Sequence, residues 1–352
     1  MSFSTFISTT GNGLARATLN TQDNWTVEYP LTDLDVRCLA VDPFDSGVIY
    51  AGTQGQGLYR SRDRGVKWER IGLDGHIIKS VAISRSDPPT IYVGTKPPMI
   101  FMSTRDGSRW VELEAFREMR RWWWFTPAEA PLTQPYVMGL SVSPSSPQTI
   151  IAGIEYGAVL RTTDGGDSWT GHQKGALRDC HTLSFHPMNG DWVYEGGGGG
   201  AAFSDNAGHT WTQPDPQTFA EGIKLALGMG AGDSHEGGLD RHYGWAVAAD
   251  PAQPRIWYCS VAPGPQQAHN HRGDARAHIY RSTPDGGWER LLGGLPDPLD
   301  YMPYALITDP AEPGHLYAGL SNGDIWHTVN HGDYWQQLPV NLGAIYTMVA
   351  LP

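Results

Sequence analysis

The sequence predicts an all-β protein, a seven-bladed β-propeller of four-stranded antiparallel blades whose N- and C-terminal segments close one shared blade. Three observations predict it. A short motif ending in Trp recurs seven times, its base period is about 42 residues, and the incomplete units at the two chain ends complement each other. A period near 42 suits a four-stranded blade.

The motif reads Ser/Thr-x-Asp/Asn-x-Gly-x-x-Trp. Clear copies run Ser61–Trp68, Thr162–Trp169, Ser204–Trp211 and Thr328–Trp335, the last two with Asn206 and Asn330 in place of Asp. Ser103–Trp110 and the shortened Ser282–Trp288 are altered, and Thr18–Trp25 is worn, with Gln22 at the glycine position. Each copy predicts a hairpin. Asp or Asn accepts backbone N–H bonds, Gly takes positive φ, and Trp covers apolar surface between sheets.

The Trp anchors at 25, 68, 110, 169, 211, 288 and 335 are spaced by 43, 42, 59, 42, 77 and 47 residues. The interval across the chain ends is 42. Within one unit, Leu39–Pro43 reads as an inner strand ending in an Asp-Pro turn, Val48–Gly52 as the second strand and Gly57–Ser61 as the third. Ile91–Gly94 and Leu316–Gly319 repeat the second strand; Asp250-Pro251 and Asp309-Pro310 repeat the turn. Tyr346–Leu351 reads as a first strand lacking its blade, and Phe6–Trp25 as later strands lacking a first. Joined, they protect edges that would otherwise be exposed. Residues 1–352 are thus expected to form a single domain.

Composition fits this reading. The chain is 40% hydrophobic and 18% charged, with 43 Gly and 14 Trp, as many short strands and tight turns require. A net charge of −12 disfavours nucleic-acid backbones. No apolar run is long enough to span a membrane. Met1 to Gly13 lacks the pattern of a secretory signal, which predicts a cytoplasmic protein. Cys38, Cys180 and Cys259 are odd in number and lack metal-site spacing, so buried free thiols are expected.

These motifs resemble those of the BNR/Asp-box propellers, the repeat class shared by sialidases and xyloglucanases, over nearly the whole chain. The resemblance implies the fold and leaves activity open, because one scaffold hosts unrelated functions. Sialidases carry an Arg-Ile-Pro motif near the start, which is absent here, and are usually six-bladed. The resemblance therefore does not imply sialidase activity.

The strand order predicts two faces. Asp-Pro turns and Trp hairpins share one. The loops entering inner strands, and those joining second to third strands, share the other, which surrounds the channel mouth. The long insertions map to the mouth, near residues 111–135, 212–241 and 262–276, as does the run Gly196–Gly200. Long loops gathered on a rigid scaffold predict a binding site.

Aligned on their Asp-Pro turns, the inner strands place Arg37, Lys79, Met138, His181, Trp245, Tyr304 and Tyr346 at the mouth, each followed by a small residue or Cys38. Cations attract carboxylate or phosphate and aromatic rings stack on sugars, so this ring predicts a carbohydrate or other anionic ligand. Arg120 and Arg121 in the first long insertion join that ligand-binding set. Glu155, Glu195, Glu236 and Asp240 are the candidate catalytic carboxyls of a glycosidase. His235, His242, His269 and His271 are candidate ligands for a divalent metal ion.

Three functions remain open at this level. One is a hydrolase-like propeller with a carbohydrate or anionic small molecule in the mouth pocket. Another is a metal-dependent hydrolase using the loop histidines. The third is a non-catalytic module that binds a protein through the insertion Arg120–Trp124.

Overall fold

The computed structural model describes residues 3–104, 106–121, 124, 134–214 and 239–352. They form seven antiparallel sheets, the blades of a propeller. Blades one to seven are numbered by their inner strands: Val36–Val41, Ile77–Ile83, Val137–Val142, Cys180–His186, Tyr243–Ala249, Pro303–Thr308 and Met348–Leu351. Five blades have four strands. Blades three and four have three, with isolated bridges Arg161–Thr170 and Phe203–Thr212 where a fourth strand would run. Blade seven joins the chain ends as expected: Met348–Leu351 pairs with Thr5–Thr9, Phe6 lying opposite Ala350.

The Trp hairpins Ser61–Trp68, Ser204–Trp211 and Thr328–Trp335 share one hydrogen-bond plan, whereas the Trp110 indole donates to the Ile71 carbonyl instead. In Ser61–Trp68, the Asp63 carboxylate accepts the Lys67 N–H (2.8 Å) and the Ser61 hydroxyl (2.9 Å). Ser61 Oγ accepts the Gly65 N–H, and the Trp68 indole donates to the Gly65 carbonyl. Asn330 takes the same role, accepting the Tyr334 N–H and the Thr328 hydroxyl. Gly65 has φ +82°, and a Cβ there would stand 2.5 Å from Ile7 of blade seven. Glycine is therefore required both by the turn and by the neighbouring blade.

The blades are also joined by an arginine relay that the motif does not contain. Arg16, Arg60, Arg161 and Arg281, all on third strands, donate to the carbonyls of Arg64, Asp106, Ala207 and His331 in the next blade's hairpin. Nearer the axis, second-strand glycines let inner strands approach. A Cβ on Gly52 would lie 2.4 Å from Ile78 of blade two. The core accordingly lies between blades: Cys38, Tyr50 and Leu58 of blade one pack with Ile78, Ile91 and Val93 of blade two.

Among the described residues helix is limited to short turns such as Glu114–Glu118 and Pro265–Ala268, and none is long and apolar enough to cross a membrane. The expected insertion at 111–135 begins inside the sheet, because Val111–Glu112 is the outer strand of blade two. All three cysteines are buried and free.

Candidate functional site

Six of the seven inner strands enter the propeller through β-bulges, blade seven being the exception. In blades one to four and six the register jumps a single residue: Arg37, Lys79, Met138, His181 and Tyr304. In blade five it jumps Trp245 and Ala246, whose Ala246 N–H is taken by the Ser260 hydroxyl. A bulged residue leaves the ladder and its side chain is re-aimed. Here the re-aimed residues surround the axis at the mouth.

They enclose a cavity of about 570 Å³, within the range of small-molecule sites, lined by Arg37, Lys79, Met138, Trp245, Tyr304 and Tyr346 of the mouth ring. His181 lies behind that lining, buried, its ring stacked 4.6 Å from Trp245. Its Nδ1–H donates to the Gly244 carbonyl at 2.7 Å, which leaves Nε2 facing Asp179 Oδ2 at 3.6 Å.

One side of the cavity is aromatic. Trp245 meets Tyr304 edge-on at 5.0 Å, Tyr304 lies 5.9 Å from Tyr346, and Tyr346 lies 5.7 Å from His271. His269 locks this wall. Tyr304 gives its proton to the Ala268 carbonyl, so it accepts from His269 Nδ1–H at 2.6 Å. His269 Nε2 is then the acceptor for the Tyr243 hydroxyl at 2.9 Å. Burial lowers His269 to about 4, which agrees with a neutral ring bonded at both nitrogens.

The other side is charged. Arg37 pairs with Asp35 at 2.6 Å. Lys79 Nζ sits 4.2 Å from the centre of the Tyr136 ring, a cation–π distance. Burial raises the Glu155 carboxyl above the ordinary carboxylate range; His181 and a hydrogen bond from Tyr136 offset part of the rise, and the Asp179 charge adds to it. Glu155, Asp35 and Tyr136 all line the cavity.

The other nominated residues fall elsewhere. Glu195 is wholly buried in blade four, where one oxygen accepts the Leu177 N–H; it does not reach the cavity lining, because its strand turns it into the sheet packing. Asp240 is held over the outer strands of blade five by Arg241, His278 and Tyr280. His242 is buried apart from the lining. Arg120 and Arg121 are exposed and do not line the cavity. Trp124 is buried against Ile154 and Ala158, so it packs a core rather than offering a contact patch. Glu236, His235, Trp122 and Trp123 lie outside the described residues. Among those described, no group of three or more His, Cys, Asp or Glu is placed to hold a metal ion; His269 and His271 reach the cavity without such company.

Asp35, Tyr136, Tyr156 and Tyr243 also line the cavity and escaped the sequence alignment. Asp35, Tyr136 and Tyr243 each stand two residues before a ring residue, a position the same alignment could have scanned.

No protein-family model and no curated protein matches this chain. Solved structures similar in fold include an ancestral GH74 enzyme, at TM-score 0.62 and 18% identity, covering 86% of this chain and 38% of that one. The chain therefore spans well under half of that enzyme. YCF48 from Cyanidioschyzon merolae matches at TM-score 0.57 and 12% identity, covering 90% and 88% of the two chains. YCF48 bound to D1 peptide matches at TM-score 0.50 and 16% identity, covering 86% and 80%. At these identities the likeness is one of fold.

Proposed function

We propose that the mouth cavity binds an acidic saccharide and that Glu155 protonates its glycosidic oxygen, making the protein a glycoside hydrolase. The observation that carries this reading is the split lining: an aromatic wall at Trp245 and Tyr304 faces a wall with Arg37, Lys79 and a carboxyl, Glu155, whose hold on its proton burial strengthens. Aromatic rings favour the apolar face of a pyranose, while the cations favour its carboxylate. Fold likeness to a GH74 enzyme is compatible with this chemistry.

In the reaction, Glu155 gives its proton to the leaving oxygen as the bond to the anomeric carbon breaks. Asp35, held by Arg37, is the second carboxylate of the lining and would take the proton of the attacking water. Of the nominated metal ligands, His269 and His271 enter this scheme only as part of the aromatic wall; Asp35 and Glu155 carry the proton transfers without the Arg120–Trp124 insertion.

The test uses 4-nitrophenyl β-glucuronide and 4-nitrophenyl β-glucoside, which differ at one carboxylate. Calorimetry should show at least tenfold tighter binding of the glucuronide, and 4-nitrophenol should be released. Glu155→Gln should keep binding and slow hydrolysis of methyl β-glucuronide, whose alkoxide must be protonated to leave, far more than that of the 4-nitrophenyl compound. Equal affinity for the two compounds, or none for either, would reject the reading. Uptake of an acidic peptide instead would favour the behaviour that the YCF48–peptide structure illustrates.

A further inference from the structure

The turn between the second and third strands of blade three, residues 154–159, carries a strained residue. Tyr156 has φ +54°. A side chain of this size is disfavoured in that left-handed region. Counted from the paired glycine of the second strand, the equivalent turn of blade one has Gly55 there, at φ +101°, and that of blade six has Gly323 one residue on, at +90°. Blade three could have done the same at no cost to its hydrogen bonds. The Tyr156 N–H donates to Asp179 Oδ1 at 3.3 Å, and the Gly157 N–H to the Arg178 carbonyl at 2.7 Å. Both bonds use backbone donors and would survive a change of side chain.

The tyrosine's gain is therefore in its ring. That tyrosine lines the mouth cavity and remains 42% exposed, against 36% for Tyr346 across the cavity. It stands on the charged side, where the other ring, Tyr136, is buried beneath Lys79. Among the described residues, Tyr156 is the exposed ring on that side of the cavity.

We infer that Tyr156 is a specificity-determining residue that covers the second face of the sugar ring bound against Trp245 and Tyr304. This rests on the saccharide reading above. A backbone position under strain, with its side chain held out over a cavity, is a common trade of stability for function.

Opposite changes in two measurements test it. Asn tolerates the left-handed region, so Tyr156→Asn should raise Tm by about 1–2 °C. The same variant should weaken 4-nitrophenyl β-glucuronide binding about fivefold, the scale of one lost aromatic contact. Tyr156→Phe, which keeps the ring, should leave both near the wild-type values. A lower Tm for Tyr156→Asn would mean that packing holds the ring, and would overturn the inference. So would unchanged affinity in a variant whose wild type binds. A wild type that binds no glucuronide would remove the saccharide reading itself, and this role with it.

Discussion

Replacing Glu195 with Gln should make the protein more stable at pH 8 and leave it nearly unchanged at pH 4.5. Glu195 is 0% exposed. One oxygen accepts the Leu177 N–H at 2.8 Å, and the Cys180 thiol beside the carboxyl is its other hydrogen-bond partner. Burial pushes the carboxyl from its ordinary 4.5 up to about 8. The folded protein therefore holds a proton that the unfolded chain has released. Wherever the folded state binds more protons, stability falls as pH rises. The benefit of the neutral acid is full below about pH 4.5 and is lost as pH climbs through about 8. The gap between 4.5 and about 8, at roughly 1.4 kcal/mol per pH unit, sets a ceiling of about 5 kcal/mol. Gln is neutral throughout and still accepts the Leu177 N–H. Urea denaturation of both proteins from pH 4.5 to 8.5 should show the variant gaining about 3–5 kcal/mol on the wild type, with unchanged m-values. Parallel stability curves across that range would refute the reasoning.

The arginine relay and the close approaches can be probed by the same denaturation. Arg161→Met leaves the Ala207 carbonyl without its 2.7 Å donor and should cost about 1–2 kcal/mol. Gly153→Ala would put a methyl 2.2 Å from the Cys180 sulfur and should cost about 1–3 kcal/mol, part of it recovered by adding Cys180→Ala. Asp164→Ala removes the acceptor of the Ser168 N–H and should lower Tm by a few degrees. Asp164→Asn should change it little, since Asn206 already accepts the matching Thr210 N–H.

The fold was legible because its strongest signals are local. The Trp hairpins need a side-chain acceptor, a glycine and an indole within eight residues, and Ser61–Trp68 shows each of them in use. The shared blade was legible from the spacing alone. Residues at the mouth were half legible, since aligning inner strands found six members of the cavity lining. Glu195 misled because a strand position near the mouth does not say which way a carboxyl faces; here it faces the packing beneath Leu177. Asp240 misled because its partners, His278 and Tyr280, lie some forty residues later and meet it only through the fold. Tyr156 carried no sequence signal, since strain at one turn appears only in the backbone angle.

The bulges explain how such a regular scaffold can hold such an irregular site. In blade one, Val36 and Cys38 keep their partners Thr53 and Gly52 on the second strand, while Arg37 between them pairs with neither. In blade one packing thus falls on the flanking residues and leaves Arg37 partly exposed, whereas the bulged His181 and Tyr304 of blades four and six are themselves buried. The two classes should respond differently to substitution. Val36 is 1% exposed within a cluster with Ile7, Ile49 and Leu351, so Val36→Ala should cost about 1–3 kcal/mol. Arg37 has a partly exposed side chain paired to Asp35, so Arg37→Met should cost no more than about 1 kcal/mol, while weakening glucuronide binding at least tenfold. If urea denaturation showed Arg37→Met to be as destabilising as Val36→Ala, the mouth ring would be part of the propeller's packing, and its chemistry would have to be read as structural.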